Sequence, residues 1–221
     1  MKLAYPLLEE PLVFEENAVN ILVIEQPREL RKAVNSLRQQ LAGETGDFVM
    51  SENFEPVELA KKAVFVTDLF DLPLESKKLA GKISHAACEA GEAFAESFQR
   101  IAADVNRLAA QIGMNMDFDV TFTPLENISA LVEILKFHVD SEEMSYPEQI
   151  LVFMKLYRNF FGIQLFIFYN LKSCIDDEEI ALLYRSICYE KFHVLMFEDC
   201  QRRKRFPEER TVIIDKDLCV F

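Results

Sequence analysis

From Leu79 to Ile112, apolar residues recur at Leu79, Ile83, Ala87, Ala90, Phe94, Phe98, Ile101, Val105, Leu108 and Ile112, and every step is three or four residues. Only an α-helix brings such positions onto one side. Unbroken from Glu75, that helix would be roughly 57 Å long at 1.5 Å per residue, whereas an ordinary globular helix has about 11–12 residues. A helix of that length should project as an arm, with Gly81 and Gly91 as the places where it would kink. Two shorter helices are predicted after it. One starts at the capping box Thr123-Pro124-Leu125-Glu126, and the other at Ser145-Tyr146-Pro147-Glu148, ending at Gly162.

The flanking sequence has a different rhythm. Leu3–Leu8, Pro11–Phe14, Asp47–Met50 and Ala63–Thr67 are strand candidates, and Ile21–Glu25 reads as a short buried strand. Pro27 suits the first position of a helix whose apolar stripe is Leu30, Val34, Leu37 and Leu41, with Gly43 at its end. After residue 146 the pattern returns. Leu165–Tyr169 and Val194–Phe197 are continuous apolar strands around a helix capped by Asp176-Asp177-Glu178-Glu179, and Val212–Ile214 with Leu218–Phe221 should close as a hairpin. Continuous apolar strands alternating with helices indicate a parallel sheet. The expected architecture is one α/β head domain, residues 1–74 and 147–221, interrupted by a helical domain at 75–146.

Ile21–Ile24 followed by a helix is where a nucleotide-binding protein keeps its phosphate loop. Here the turn is Glu25-Gln26-Pro27-Arg28. The six glycines form neither GxGxxG nor GxxxxGK[ST], and without them side chains keep backbone N–H groups from closing on a phosphate. GxSxG and HExxH are also absent. His85, His138 and His193 stand apart, and Asp68 suits a turn cap better than a metal ligand. Cys88, Cys174, Cys188, Cys200 and Cys219 form no CxxC pair, so they read as small buried thiols of a reducing cytoplasm. Met1–Leu12 lacks the apolar run of a signal peptide, and the apolar stretch Phe160–Leu171 is short of the ~20 residues a membrane span needs. These features predict a cytoplasmic protein.

Charge carries the remaining signal. A formal net charge of −13 repels polyanions on average, so an anionic partner has to meet a local basic patch. Arg28, Arg31, Lys32 and Arg38 cluster opposite the apolar stripe of the first helix. Lys77, Lys78 and Lys82 occupy the start of the long helix, Lys61-Lys62 precede a strand, and Arg202-Arg203-Lys204-Arg205 follow the last buried one. Such clusters suit phosphate-backbone contact, which needs positive charge in register and no reading of bases. In Met114-Asn115-Met116-Asp117-Phe118-Asp119, the period-two alternation would put Asp117 and Asp119 on one side of an extended segment, the kind of carboxylate pair a hard cation such as Ca²⁺ takes.

The blocks YPLLEEPLVF, NILVIEQPRELRKAV, AVFVTDLFDLPLESKKL, MDFDV, LFIFYNLKSCIDDEEIALL and VLMFED…VIIDKDLCVF, in this order, resemble the type II-A CRISPR-associated accessory protein of spacer acquisition. The resemblance implies a P-loop/RecA-like fold without ATPase motifs, a helical insertion, and no enzymatic activity. It implies a ring-shaped homotetramer that binds double-stranded DNA, preferentially at ends and without sequence preference, through a basic channel. It further implies Ca²⁺ stabilising the ring, and partnership with the integrase complex and the RNA-guided nuclease. On local charge, Arg28, Arg31, Lys32, Lys77, Lys78 and Lys82 are the expected DNA contacts. Asp117 and Asp119 match the family's calcium-associated block. Two other readings compete: a degenerate P-loop-like nucleotide enzyme, and a protein-only scaffold that binds through the long helix.

Overall fold

A computed structural model describes residues 1–202 and 204–221. The chain forms two compact units, Met1–Leu72 with Ser141–Phe221, and Pro73–Asp140.

The first unit is built on a five-stranded sheet. Its strands are β3 (Val19–Ile24), β6 (Ala63–Val66), β7 (Leu165–Tyr169), β8 (His193–Glu198) and β9 (Glu209–Ile214), ordered β6-β7-β8-β3-β9 and parallel throughout. Continuous apolar runs work here because both faces are covered. Leu165 and Ile167 of β7, with Leu22 and Ile24 of β3, join a core with Ala33 and Leu37 of helix α1 (Pro27–Leu41). Phe166 and Phe168 point the other way, to Phe153 of helix α6 (Tyr146–Phe161), with ring centroids 6.0 and 6.4 Å apart. Helix α7 (Asp177–Tyr189) packs beside α6, burying Ile180, Leu183, Tyr184 and Ile187.

The sequence pattern does not reveal a second sheet. β1 (Lys2–Ala4), β2 (Leu12–Val13), β4 (Val49–Glu52) and β5 (Glu55–Val57) pair antiparallel in the order β2-β1-β4-β5. Leu3, Leu12 and Met50 from this sheet join the α1 side of the core, where Tyr5 stacks on Phe48 at 4.5 Å. The expected strand Leu3–Leu8 stops at Ala4, because the chain turns there and Leu8 N–H bonds the Tyr5 carbonyl. β9 is longer than the expected Val212–Ile214 because β3 recruits it over all six residues. The hairpin after it closes with a single antiparallel bridge, Ile214 to Val220. The helix starts at Pro27 and Ser145 and the stop at Gly162 agree with the sequence pattern. Gly162 takes φ +69°, and Gly43, two residues beyond the end of α1, takes φ +90°. A short helix, α2 (Leu59–Lys62), leads into β6.

The second unit is helical. The long seam breaks at the second of its two expected kink points, Gly91, into α3 (Lys77–Gly91) and α4 (Ala95–Met114), separated by a 3-10 turn at Glu92–Phe94. A Cβ on Gly91 would lie 2.6 Å from Ile128 Cγ2, so glycine is what lets helix α5 (Ile128–Leu135) pack against α3. Gly81 leaves α3 unbroken. The predicted helix start at Thr123 is overturned. Asn106 of α4 bonds both backbone groups of Leu125, accepting from its N–H at 2.8 Å and donating to its carbonyl at 3.2 Å. That clamp takes Leu125 out of helix geometry and buries it against Phe98 and Ala102. The helix begins instead at Ile128, capped by Asn127, whose side chain accepts from Ala130 N–H at 2.9 Å.

Candidate nucleic-acid interface

The turn from β3 to α1 has two residues, Glu25 and Gln26. Glu25 N–H is spent on the Ile214 carbonyl at 2.9 Å, which ties the turn to β9. The Gln26 side-chain oxygen accepts from the N–H groups of Arg28 and Glu29 at 2.5 and 3.0 Å. Those N–H groups are among the free donors that a helix N-terminus offers a phosphate. A side chain of the protein already holds them, and the turn is too short to wrap an anion.

Beyond the cap, α1 has two faces. Ala33, Ser36 and Leu37 are buried, with Leu30, Val34 and Leu41 packed alongside. Ser36 Oγ accepts from Asp47 N–H at 2.7 Å, and Gln40 exchanges two hydrogen bonds with the Phe48 backbone, at 2.7 and 2.9 Å. These bonds fix the rotation of the helix. Arg28, Arg31, Lys32, Asn35, Arg38 and Gln39 are exposed, and their spacing of three and four puts them on one side. No acid interrupts that face. Sequence reasoning found the cations and missed Asn35 and Gln39, the amides that alternate with them; the same three-and-four spacing, applied to polar residues, would have found both.

The remaining cations separate into free and spent. Among the described residues, Arg28, Arg31, Lys32, Lys77, Lys78 and Lys82 carry no ion pair. Lys155 pairs with Glu190 at 2.8 Å, Lys172 with Glu209 at 2.5 Å, Lys191 with Glu16 at 2.7 Å and Arg210 with Glu15 at 2.5 Å. The basic run near 202 is also engaged. Arg202 lies 3.9 Å from Glu198 and 3.8 Å from Asp199, and Lys204 lies 3.2 Å from Asp177; Arg203 lies outside the described residues. Lys61 pairs with Glu58 at 2.7 Å. Lys77, Lys78 and Lys82 are exposed on the first two turns of α3, behind the Ser76 cap. The six proposed contacts therefore come as two sets, one on each unit.

Asp117 and Asp119 follow α4 in a bent, irregular stretch rather than the extended segment expected. Both are exposed, and Asp119 borders an apolar groove with Met114, Met116, Phe118 and Phe122. Among the described residues no group of three or more His, Cys, Asp or Glu is arranged to hold a metal. Two carboxylates fall short of the about six to eight oxygens Ca²⁺ takes, so this pair by itself does not fit the ion.

The isolated groups have local roles. His85 sits 3.6 Å from Glu89, and a His138 ring nitrogen lies 2.9 Å from the Lys136 carbonyl. Burial lowers the His193 pKa from its ordinary value. Asp68 accepts from Phe70 N–H at 3.1 Å, closing the turn it was expected to cap. The cysteines are free, but none is fully buried, and Cys200 and Cys219 are exposed. That departs from the expectation of buried thiols; the short apolar segments around them leave sulfur at the surface.

A model of the CRISPR-associated protein family Cas_Csn2 matches residues 40–218. The chain belongs to this family. It is thus a type II-A CRISPR-associated protein of spacer acquisition, as the ordered sequence blocks indicated. The match begins beyond the Gln26 turn and most of α1, so the family assignment and the features of that helix are independent observations. Comparison with curated proteins returned no match. Among solved structures, the chain is similar to a Pyrococcus furiosus protein assigned as an ABC transporter ATP-binding protein, with 11% identity, a TM-score of 0.39, and coverage of 96% of this chain and 94% of that one. Among the described residues no helix is long and apolar enough to cross a membrane.

Proposed function

We propose that this Cas_Csn2 protein is a non-enzymatic, ring-forming binder of double-stranded DNA in the cytoplasm. It grips the phosphate backbone without reading sequence, and engages DNA ends during spacer capture beside the integrase complex and the RNA-guided nuclease. The observation that carries the reading is the exposed face of α1. It is free of acids, and Arg28, Arg31 and Lys32 are unpaired in a chain of net charge −13, whereas Lys155, Lys172, Lys191 and Arg210 are each held by a carboxylate. Keeping unpaired cations together costs self-repulsion, and a polyanion relieves it. Lys77, Lys78 and Lys82 form the second contact set.

In this reading the unit of Met1–Leu72 and Ser141–Phe221 is a P-loop/RecA-like head that has lost its phosphate loop, and Pro73–Asp140 is its inserted helical domain. The Gln26 cap weighs against the nucleotide-enzyme alternative, because the donors a triphosphate would need are occupied. The homotetramer is supported by α4, where Ile101, Val105, Leu108 and Ile112 stay 53, 45, 57 and 57% exposed. An apolar stripe of that length is unfavourable in water and suits a second copy. Such an interface, with water, is also where the oxygens missing around Asp117 and Asp119 would come from.

The deciding experiment pairs light scattering with gel shifts on linear and closed circular duplex. A tetramer that shifts linear DNA and leaves closed circles unbound supports the proposal. Assembly with no affinity for either DNA, even at low salt, would leave the protein scaffold standing instead.

A further inference from the structure

Glu198 ends β8 with 1% of its surface exposed. One hydrogen bond reaches its carboxyl, from Lys172 N–H to Oε1 at 3.1 Å, and Oε2 is buried without a partner. The nearest ammonium cannot help. Lys172 Nζ is bound to Glu209 at 2.5 Å, and both side chains are almost fully buried. Glu209 also accepts from the Tyr184 hydroxyl at 2.9 Å, so that pair is complete without Glu198. The other cation is Arg202, 3.9 Å away, with its own Nε buried and unpartnered. Both orphaned side chains line one small cavity with Cys200, Gln201 and Arg205.

The remaining neighbours do not supply the missing charge. Arg205 lines the cavity but forms no ion pair with Glu198, Asp199 adds like charge, the nearby Tyr169 and Tyr184 are neutral phenols, and the sheet contributes Ile21, Val23 and Thr211 beside Glu209. Burial is therefore the largest influence. It outweighs the Lys172 N–H, Arg202 and the Lys172 ammonium, and pushes the Glu198 carboxyl up to about 7.

We propose that Glu198 is a proton-binding site of the folded protein, and that its ionisation opens the cover formed by Cys200–Arg202. A buried carboxylate short of partners gains hydration by opening, whereas the neutral acid gains little. The cover is the wall best able to yield. Cys200 and Gln201 are exposed and belong to no helix or strand, and Arg202 holds its two carboxylates only at 3.8 and 3.9 Å. Apart from Arg205, the other walls are sheet strands and the closed Lys172–Glu209 pair. Rising pH thus favours the open cover at the C-terminal end of β8, and falling pH favours the closed one. This inference does not depend on DNA binding.

The test is amide hydrogen exchange of Cys200–Arg202 at pH 6 and 8.5, corrected for intrinsic rates, in the wild type and in E198Q. Linkage between a closed-state carboxyl near 7 and an ordinary one in the open state predicts an increase in opening of about tenfold in the wild type, and none in E198Q. A flat wild-type response, or the same increase in E198Q, overturns the proposal. Carboxyl-carbon NMR of the wild type gives a second decision that needs no variant. A Glu198 midpoint near neutrality supports the proposal, and one in the ordinary glutamate range ends it.

Discussion

The two units bury their apolar residues to very different extents. In the parallel sheet, Leu165, Phe166, Ile167 and Phe168 are fully buried, as are Val194 through Phe197. In the helical unit, Phe98, Ala102 and Leu125 form a small cluster while Ile101, Val105, Leu108 and Ile112 face solvent. The same seam residues that looked like a core in sequence divide into an inner and an outer set. The sheet unit closes its own core; the helical unit leaves a long apolar face of α4 exposed. Periodicity says that residues share a side of a helix, but not whether another element covers that side.

The sharpest way to break this contrast is a pair of truncations. F166A should cost about 3–5 kcal/mol of unfolding free energy in urea denaturation, through lost burial and a cavity. L108A should change the free energy of the unassembled chain by less than about 0.5 kcal/mol while lowering the assembled fraction in light scattering. Equal costs for the two would mean that α4 is covered within its own chain.

Next in size is the pH response of the sheet unit. The Glu198 carboxyl is raised to about 7 in the folded state, so the stability it contributes is fully present below its unfolded value of about 4.5 and is lost as pH rises through 7. E198Q should remove this slope. At pH 8 it should be more stable than the wild type by up to about 3 kcal/mol, at 1.36 kcal/mol per pKa unit. Parallel pH profiles of melting temperature would disprove it.

The basic face of α1 comes third. R28E/R31E/K32E should weaken binding of linear duplex by at least about tenfold near 0.1 M salt, uniformly across sequences. The slope of log K against log salt should shrink by about 2–3, because each phosphate contact contributes about −0.9. Unchanged affinity would remove α1 from the interface. The smallest effect concerns the break in the helical seam. G91A should destabilise by roughly 1 kcal/mol, since its Cβ would crowd Ile128 Cγ2. In G91A/I128A the clash should disappear, seen as a favourable coupling in a double-mutant cycle.

Much of the fold was legible where the signal is local. Pro27, Ser145 with Glu148, and Asp176 with Glu179 mark helix starts because capping is settled within four residues. Ile21–Ile24 and Leu165–Tyr169 read as buried strands because unbroken apolar runs need cover on both faces. The false start at Thr123 has good local grammar, and it failed against the contact of Asn106 with Leu125, nineteen residues apart. Three strands of the antiparallel sheet were strand candidates, but their pairing escaped notice because strands of two to four residues carry no signal for which of them adjoin. On the candidate site, the cations of α1 were visible as a face, but Gln26 as the occupant of the helix N-terminus was not.

By itself, the sequence determined the capped helices, the buried strands, the missing phosphate loop and the family. Each of these is written in neighbouring residues or in the order of blocks along the chain. Tertiary structure alone decided which cations are free and which are spent, what crowds the seam at Gly91, and that Glu198 stands buried with one carboxyl oxygen lacking a hydrogen-bond partner. Those outcomes depend on residues distant in sequence, such as Glu209 beside Lys172 or Ile128 against Gly91, and no local pattern fixes which side chain arrives there.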